Sequence, residues 1–401
     1  MNLTFYSNFS NSLVQQEAQI NTLQQQISTG LAVQSPDQNP AAYATAALGT
    51  DAVNALTGDN TTQAAIQVQL GSVNNAYQSA TSLFNNVQAV LEQALNGTTS
   101  ALNLNALAAQ VQSASQQLLA LGNTTSPNGT YLFGGSRGGV APFQQNTSGQ
   151  IVYLGDGAQS QAAISTDVTA STLANGEVFV SGLAGNGIGS VTASSSNTGT
   201  GQLIPEGVVN AAAAAAFQSG GAAITVSFAS SASGVTYSAT QAGTTLATGA
   251  AKAGATLQLA GVNYQLTGSA AAGDSFTISP SRPQSAFALL QNLAAVLSAA
   301  GNTPAQVAQT NQILDQGLAS LGQYQQAVVT AQAQNGVTLQ AIANAGTGNT
   351  NQSTQIQTNV QNATAVNLPV AIASLDQTLT ALQAAMKTFG TVQSLSLFQY
   401  V

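Results

Sequence analysis

Few residues of this chain could do chemistry. It has no histidine and no cysteine, and the side chains that are charged at neutral pH are twelve acids and four bases among 401 residues. This excludes Ser-His triads, thiol nucleophiles and zinc sites of the usual ligand sets. Asp37, Asp51, Asp59 and Glu92 could suggest a carboxylate pair or calcium ligands, but their spacing fits no EF-hand loop and favours solvated helix acids. We therefore expect no catalytic residue, no cofactor and no metal site.

Four glycines, Gly134, Gly135, Gly138 and Gly139, give one stretch the composition of a phosphate-binding loop. No Gly-Lys-Ser/Thr motif and no following helix accompany them, which argues strongly against phosphate binding. We interpret this stretch as a flexible lead-in to the domain that follows it.

Charged residues make up 4% of the chain, against roughly 25% in ordinary domains. The basic residues Arg137, Lys252, Arg282 and Lys387 are too few and too scattered to form a phosphate-binding patch, so nucleic acid is not an expected partner. No apolar run is long enough to insert into a membrane, and the N-terminus lacks the basic and apolar regions of a cleaved signal peptide. Apolar residues reach 44%, which is enough for sizeable cores.

The elements most able to position an interaction surface lie at the two ends of the chain. Near the C-terminus, apolar residues alternate at spacings of three and four: Ile372, Leu375, Leu379, Leu382, Met386 and Phe389. The N-terminal segment has the same pattern with one polar position, in Phe9, Leu13, Gln16, Ile20, Leu23 and Ile27. Such heptads are typical of coiled-coil helices. We expect these two helices to pair, and the middle of the chain to leave this stem and return to it.

Further helices are expected between the two ends. Asn39 and Pro40 can cap and start one, whose apolar positions are Ile66, Leu70, Val73, Tyr77, Ala80, Phe84, Val87, Leu91 and Ala94. A third helix carries Leu104, Leu107, Val111, Ala114, Leu118 and Leu121. Later, Thr303, Pro304 and Gln306 form a capping-box start for a long helix. We predict that residues 346–351 break this helix and that a separate helical piece then leads to Pro369.

The central region differs from the helical arms in composition and in predicted secondary structure. Asn128 and Gly129 favour a turn, and Tyr131–Phe133 is strand-like. Residues 138–282 are rich in glycine, serine, threonine and alanine, with short β-prone runs at 151–154, 178–180, 224–228, 235–237, 257–266 and 276–278. We expect a β domain with a loosely ordered stretch at 184–222, in which 211–217 could form a short helix.

The predicted fold is therefore mainly α with a β-rich insertion. It has paired terminal coiled-coil helices, a long helical bundle and a central β domain. The predicted domains are residues 1–38 with 366–401, residues 39–137 with 283–365, and residues 138–282 as a surface-exposed insertion.

Several segments resemble the flagellin family, and more narrowly its hook–filament junction proteins, the third class of hook-associated protein. Gln24–Ala46 is similar to the family's Gln-Gln-Gln-Ile-Ser-Thr-Gly box and the turn after it. Asn128–Gly135, Asn-Gly-Thr-Tyr-Leu-Phe-Gly-Gly, resembles a junction-protein signature. Ala271–Ile278 is similar to the returning strand of the insertion, and Ala365–Val401 resembles the C-terminal arm. The likeness covers both helical arms but only the edges of the insertion.

This resemblance implies a non-enzymatic structural subunit of the extracellular bacterial flagellum. The implied partners are copies of the chain in a ring, the first hook-associated protein, flagellin, and an export chaperone before type III secretion without a cleaved signal peptide. The expected assembly residues are Leu13, Ile20, Leu23, Ile27, Ile372, Leu375, Leu379, Leu382, Met386, Phe389, Leu395, Leu397 and Phe398. The family motif is carried by Asn128, Gly129, Tyr131, Leu132 and Phe133.

Two alternatives stay open at this point. One is a flagellin or minor filament subunit, and the other is a surface binding module carried by the insertion. The backs of the terminal helices carry glutamine, asparagine, serine, threonine and alanine instead of ion pairs, which would make them inexpensive to desolvate. We therefore expect both ends to be loose in the monomer and to order on assembly.

Overall fold

The computed structural model describes residues 3–96, 101–166 and 168–398. The helices of this part are α1 (Leu3–Thr29), α2 (Pro40–Leu95), α3 (Ala101–Gly122), α4 (Ala211–Gln218), α5 (Ala286–Ser298), α6 (Pro304–Thr364) and α7 (Leu368–Phe398). The strands are β1 (Phe143–Gln145), β2 (Ile151–Tyr153), β3 (Gln161–Ser165), β4 (Val168–Ser171), β5 (Gly189–Ala193), β6 (Gln202–Val208), β7 (Ile224–Ser231), β8 (Gly234–Gln241), β9 (Thr244–Ala250), β10 (Ala255–Leu259), β11 (Val262–Thr267) and β12 (Ser275–Pro280). The predicted fold class, mainly α with a β-rich insertion, is confirmed.

The chain divides into two compact units. The first contains residues 1–62, 164–166 and 344–401, and the second contains residues 63–163 and 167–343. The long helices α2 and α6 contribute to both. In the first unit Gly49 of α2 lies directly against Val360 of α6, where any side chain on Gly49 would collide with the valine. The three-domain division expected from the sequence remains a prediction.

The starts of α2 and α6 follow the capping chemistry predicted for them. Asn39 Oδ1 accepts a hydrogen bond from the Ala42 N–H at 3.1 Å. At α6, the Gln306 N–H donates to Thr303 Oγ1 at 3.3 Å, and Gln306 Oε1 accepts from the Thr303 N–H at 3.2 Å. This reciprocal pair is a capping box, which satisfies backbone donors that the first turn of a helix leaves free.

A helical core fills much of the second unit. It is built from α2, α3, α5 and α6, and all nine apolar positions predicted for α2 are buried. Apolar residues of the loops and strands between α3 and β5 also pack into it, including Leu132, Phe133, Phe143 and Phe179. The ring centroids of Phe143 and Phe287 are 5.1 Å apart, which ties this segment to α5. The apolar heptads therefore locate the core of these helices.

The second unit also holds a β sandwich with its own core. One sheet has the strand order β5-β12-β7-β8-β9 and the other the order β10-β11-β6, with antiparallel pairing throughout. Apolar residues from both sheets, including Phe228, Tyr264 and Phe276, form one buried cluster with Phe217 of α4. The inward residues of β7 alternate with exposed ones, as expected for a strand with one buried face.

Glutamine side chains of α6 cover the open edges of both sheets. Gln312 accepts from the Leu203 N–H of β6 at 2.6 Å and donates to the Leu203 carbonyl at 3.0 Å. Gln316 accepts from the Val191 N–H of β5 at 2.8 Å and donates to the Val191 carbonyl. Each amide thus pairs with a strand residue as a neighbouring strand would. Edge strands leave such backbone groups unpaired, so this contact stabilises the docking of the sandwich on α6.

Four local predictions are wrong. Residues 346–351 do not break α6, which is continuous to Thr364. Residues 178–180 are not a strand, because a short 3-10 helix occupies Gly176–Phe179 with Asn175 as its cap. Tyr131–Phe133 is not a strand either, because Tyr131 makes one isolated bridge to Thr125. The stretch 184–222 contains the regular elements β5, β6 and α4, the last close to the short helix expected at 211–217.

Candidate assembly surface on the terminal helices

The helices α1 and α7 lie antiparallel and form what we call the terminal helix pair. At one end the rings of Phe9 and Phe389 are stacked, with centroids 4.4 Å apart and planes inclined by 5°. At the other end the Ala32 N–H donates to the Thr364 carbonyl at 2.7 Å, and the Val366 N–H donates to the Gly30 carbonyl at 2.9 Å. The predicted pairing of the two ends of the sequence is therefore present within one chain.

Short local signals end α1 and begin α7. Gly30 takes a φ of +75°, a left-handed conformation that suits glycine after the last turn of a helix. The Gln26 side chain donates to the Ala32 carbonyl at 2.9 Å and holds the chain as it leaves the helix. Asn367 Oδ1 accepts from the Val370 N–H at 3.3 Å and caps α7, which places Pro369 in the first turn, where it costs little. These contacts position the two helices side by side.

The predicted apolar positions of α1 face its partner. Ile20 is buried, and Leu13, Leu23 and Ile27 are half-buried on a helix whose other residues are mostly exposed. The amide oxygen of Gln16, in the polar position, is buried without a hydrogen-bond partner among the described residues. An unpaired buried acceptor costs about 1–3 kcal/mol, so this position weakens the pair in a single chain.

On α7 the predicted seam holds only in part. Leu375, Leu379, Leu382 and Phe389 are half-buried. Ile372 and Met386, however, are 47% and 52% exposed, and the neighbouring Ala371 and Ala385 are more buried than they are. A strict seven-residue repeat drifts by about 20° per heptad around a straight helix, so residues chosen on that repeat move off the contact face. Leu395, Leu397 and Phe398 fall in the last turns of α7, and their side chains lie outside the described residues.

The terminal helix pair exposes other large apolar side chains as well. Tyr6, Val14 and Val370 are 58%, 62% and 59% exposed. Charges are scarce: α1 carries only Glu17, and α7 carries Asp376 and Lys387. Exposed apolar side chains on helices with few charges favour contact with other protein surfaces. The terminal helix pair can therefore associate with another protein surface, because association removes these side chains from water.

The described residues outside the terminal pair offer little for catalysis or metal binding. They contain no group of three or more acidic side chains placed to hold a metal ion. A groove of about 680 Å³ lies beside Tyr77 of α2 and Gln323 of α6, and its lining contributes one carboxylate, Glu177. Burial raises the pKa of Tyr77, so its hydroxyl stays neutral. No described helix is long and apolar enough to cross a membrane.

The motif at Asn128–Gly135 is a turn followed by a buried plug. Gly129 has a φ of +82°, and Asn128 Oδ1 accepts hydrogen bonds from the Ser126 hydroxyl and, at 3.4 Å, from the Thr130 N–H. Leu132 and Phe133 are completely buried in the helical core. The Phe133 ring meets those of Tyr77 and Phe179 edge-on, with centroid distances of 5.5 and 5.4 Å. Tyr131 is half-buried beside this plug.

Gly134, Gly135 and Gly138 are packed against neighbouring atoms, whereas Gly139 has open space around it, so the prediction of a flexible lead-in is wrong for three of the four glycines. Gly135 has a φ of +67° and touches the Asp156 backbone so closely that a side chain there would clash. Asp156 accepts from the Ser136 N–H at 2.8 Å and from the Ser136 hydroxyl at 2.5 Å, and Arg137 lies 3.8 Å away. The Ser136 hydrogen bonds, with Arg137 as a smaller contribution, hold the pKa of Asp156 below its ordinary value.

Comparison with known proteins agrees with these features. The sequence model of the bacterial flagellin N-terminal helical region matches residues 2–137. The crystal structure of Xanthomonas campestris FlgL is 26% identical, with a TM-score of 0.69 over 78% of this chain and 99% of that one. Flagellar hook-associated protein 3 of Legionella pneumophila is also 26% identical, with a TM-score of 0.72 over 79% of this chain and 98% of that one. The chain is therefore similar to flagellin-family proteins over residues 2–137, and to FlgL and hook-associated protein 3 over most of its length.

A curated member of this family gives a shorter alignment. Flagellar hook-associated protein 3 of Escherichia coli (strain K12) is 34% identical over 122 residues, which is 30% of this chain and 38% of that protein. The chain thus matches well under half the length of that curated relative. The flagellin-family region at residues 2–137 contains α1, α2, α3 and the Asn128–Gly135 motif. The recognition made from the sequence is confirmed at the level of the family and its hook-associated members.

Proposed function

We propose that this chain is a structural, non-enzymatic subunit of the bacterial flagellum that forms the junction ring between hook and filament. Its neighbours would be copies of itself, the first hook-associated protein and flagellin. The chain would be exported by flagellar type III secretion without a cleaved signal peptide. Its similarity to hook-associated protein 3 and FlgL structures supports this proposal.

One observation carries the proposal: the terminal helix pair is folded but incompletely covered. Tyr6, Val14, Val370, Ile372 and Met386 are all exposed on helices of 27 and 31 residues. Full burial of one such side chain contributes about 1.5–3 kcal/mol. Several burials per subunit are enough to stabilise a ring in which each pair packs against its neighbours.

The same surface explains why a chaperone would be needed before export. Exposed apolar side chains on a newly made chain favour premature association, and a bound chaperone would cover them. The chain has no cysteine, so no disulfide obstructs its passage in an unfolded form. Assembly at the distal end would then bury the surface that the chaperone had protected.

Deletion of the gene tests the proposed function. If the chain forms the junction, deletion leaves hooks that are complete but carry no filament, and flagellin monomers accumulate in the medium. A filament subunit would behave differently, because its loss would shorten or alter filaments that remain attached. Attached filaments of normal yield after deletion would overturn the proposal.

A further inference from the structure

The helix α6 stays continuous through a sequence that is poor at forming helices. Residues 346–351 are Gly-Thr-Gly-Asn-Thr-Asn, and all six lie within α6. Relative to alanine, each glycine lowers the helix–coil equilibrium about fivefold, and each threonine or asparagine about two- to threefold. The sequence alone therefore predicts a break here. Something outside the helix must hold this stretch in its helical form.

Within this stretch, Asn349 makes three polar contacts with residues outside α6. This side chain is buried, and its Nδ2 donates to the carbonyl of Ile164 at 3.4 Å and to Asn60 Oδ1 of α2 at 3.3 Å. Its Oδ1 accepts from the Ser165 hydroxyl at 3.0 Å. Asn60 itself lies in a second helix-poor run of α2, Gly58–Thr62. One amide thus joins the two weak helical stretches and residues 164–165 at the end of β3.

The end of β3 also contributes a buried apolar side chain. Ile164 is completely buried, although the residues beside it in β3, Ala163 and Ser165, are exposed and half-buried. Residues 164–166 belong to the same compact unit as Asn60 and Asn349, so these contacts lie within one unit. We propose that Ile164 and Ser165 act as a latch: while they are docked, α6 stays helical through residues 346–351, and their release lets the helix break there.

The latch has the properties of a reversible contact. It consists of one apolar side chain and a few hydrogen bonds of ordinary or long length, whereas the cores of the second unit hold many buried residues. Local opening draws on contacts that are few and separable, so the helix here can open without unfolding the chain. This device is independent of the proposed function, and it would exist in any assembly that the chain forms.

Amide hydrogen exchange on the full-length chain tests the latch. Ser165→Ala removes one hydrogen bond and should speed exchange at residues 346–351 about fivefold, the factor that corresponds to about 1 kcal/mol. Ile164→Ala should speed it by about thirtyfold or more. Val168→Ala, at an exposed position of β4, should have no effect. Exchange within Leu314–Val328 should stay unchanged in all three variants.

A rescue variant separates the latch from general damage. Gly348 lies in α6 with open space around it, so Gly348→Ala should favour the helix about fivefold and offset Ser165→Ala at residues 346–351. Gly336 is a matched control, because it also lies in α6 with open space around it, and Gly336→Ala should not rescue that stretch. Unchanged exchange at 346–351 in the Ile164 and Ser165 variants, or equal acceleration at Leu314–Val328, would overturn the proposal.

Discussion

Replacement of Gln312 by leucine should weaken the docking of the β sandwich on α6. The Gln312 amide makes two hydrogen bonds to the backbone of Leu203, of 2.6 and 3.0 Å, and its side chain is buried. Leucine is similar in size and in helix propensity, so the substitution leaves α6 and its packing nearly intact. What it removes is the pairing of one N–H and one carbonyl of the edge strand β6.

The expected cost follows from those two backbone groups. A buried donor or acceptor left without a partner costs about 1–3 kcal/mol, so two of them cost about 2–6 kcal/mol. The extra apolar burial of leucine offsets up to about 2 kcal/mol of this. With mid-range values of about 4 kcal/mol for the two unpaired groups and about 1 kcal/mol for the offset, we expect Gln312→Leu to lower the free energy of unfolding of the sandwich by about 3 kcal/mol.

Chemical denaturation followed by amide hydrogen exchange within the strands of the sandwich measures this loss. Gln326→Leu is the matched control, because Gln326 is exposed on the same helix and its replacement should change stability by less than about 0.5 kcal/mol. If Gln312→Leu costs no more than this control, the glutamine does not serve as a substitute for a neighbouring strand, and the edge of β6 is satisfied in some other way.

Three further predictions concern substitutions of Met386, Asp315 and Tyr264, whose surroundings decide how each substitution changes assembly or stability. Met386→Asp should leave the stability of the monomer unchanged but block incorporation into flagella. Gln383→Asp, at another exposed position about one turn earlier, should incorporate normally. Equal incorporation of both variants would show that α7 is not part of the assembly surface. Burial raises the pKa of Asp315, so its charged form is disfavoured in the folded chain. Asp315→Asn should therefore raise Tm at pH 7 but not at pH 3, because at pH 3 the carboxyl is protonated in both the folded and the unfolded chain. A higher Tm at both pH values would contradict this reasoning. Burial also raises the pKa of Tyr264 to about 12, and its hydroxyl has no hydrogen-bond partner among the described residues. Tyr264→Phe should therefore raise the free energy of unfolding by about 1 kcal/mol, as measured by chemical denaturation. A lower free energy of unfolding would show that the hydroxyl has a partner.

Apolar spacing predicted the helices best where apolar side chains form the buried face. In α2 the positions from Ile66 to Ala94 are buried because they meet other apolar residues. In α6 the buried face also includes Gln312, Gln316 and Asn349, which are buried because their amides reach backbone or side-chain partners far away in sequence. A pattern of apolar residues cannot reveal such positions, because the partner is defined only by the fold.

The errors at the candidate surface and at Phe133 have a similar origin, because each depends on tertiary contacts that a local sequence pattern does not show. Ile372 and Met386 were placed on the seam by a strict heptad, but which face of α7 meets α1 depends on the actual helical repeat. Phe133 was assigned to a strand because aromatic and apolar neighbours favour strands, whereas its burial between Tyr77 and Phe179 is a tertiary contact. The pairing of the chain ends was predictable because both heptads were long.

Electron microscopy of flagella labelled with an antibody to residues 138–282 tests the central claim most directly. That claim is the proposal that this chain occupies the boundary between hook and filament. We expect label in a single narrow band at that boundary on each flagellum, and none farther along the filament. Label distributed along the filament, or absent from flagella that are otherwise complete, would contradict it.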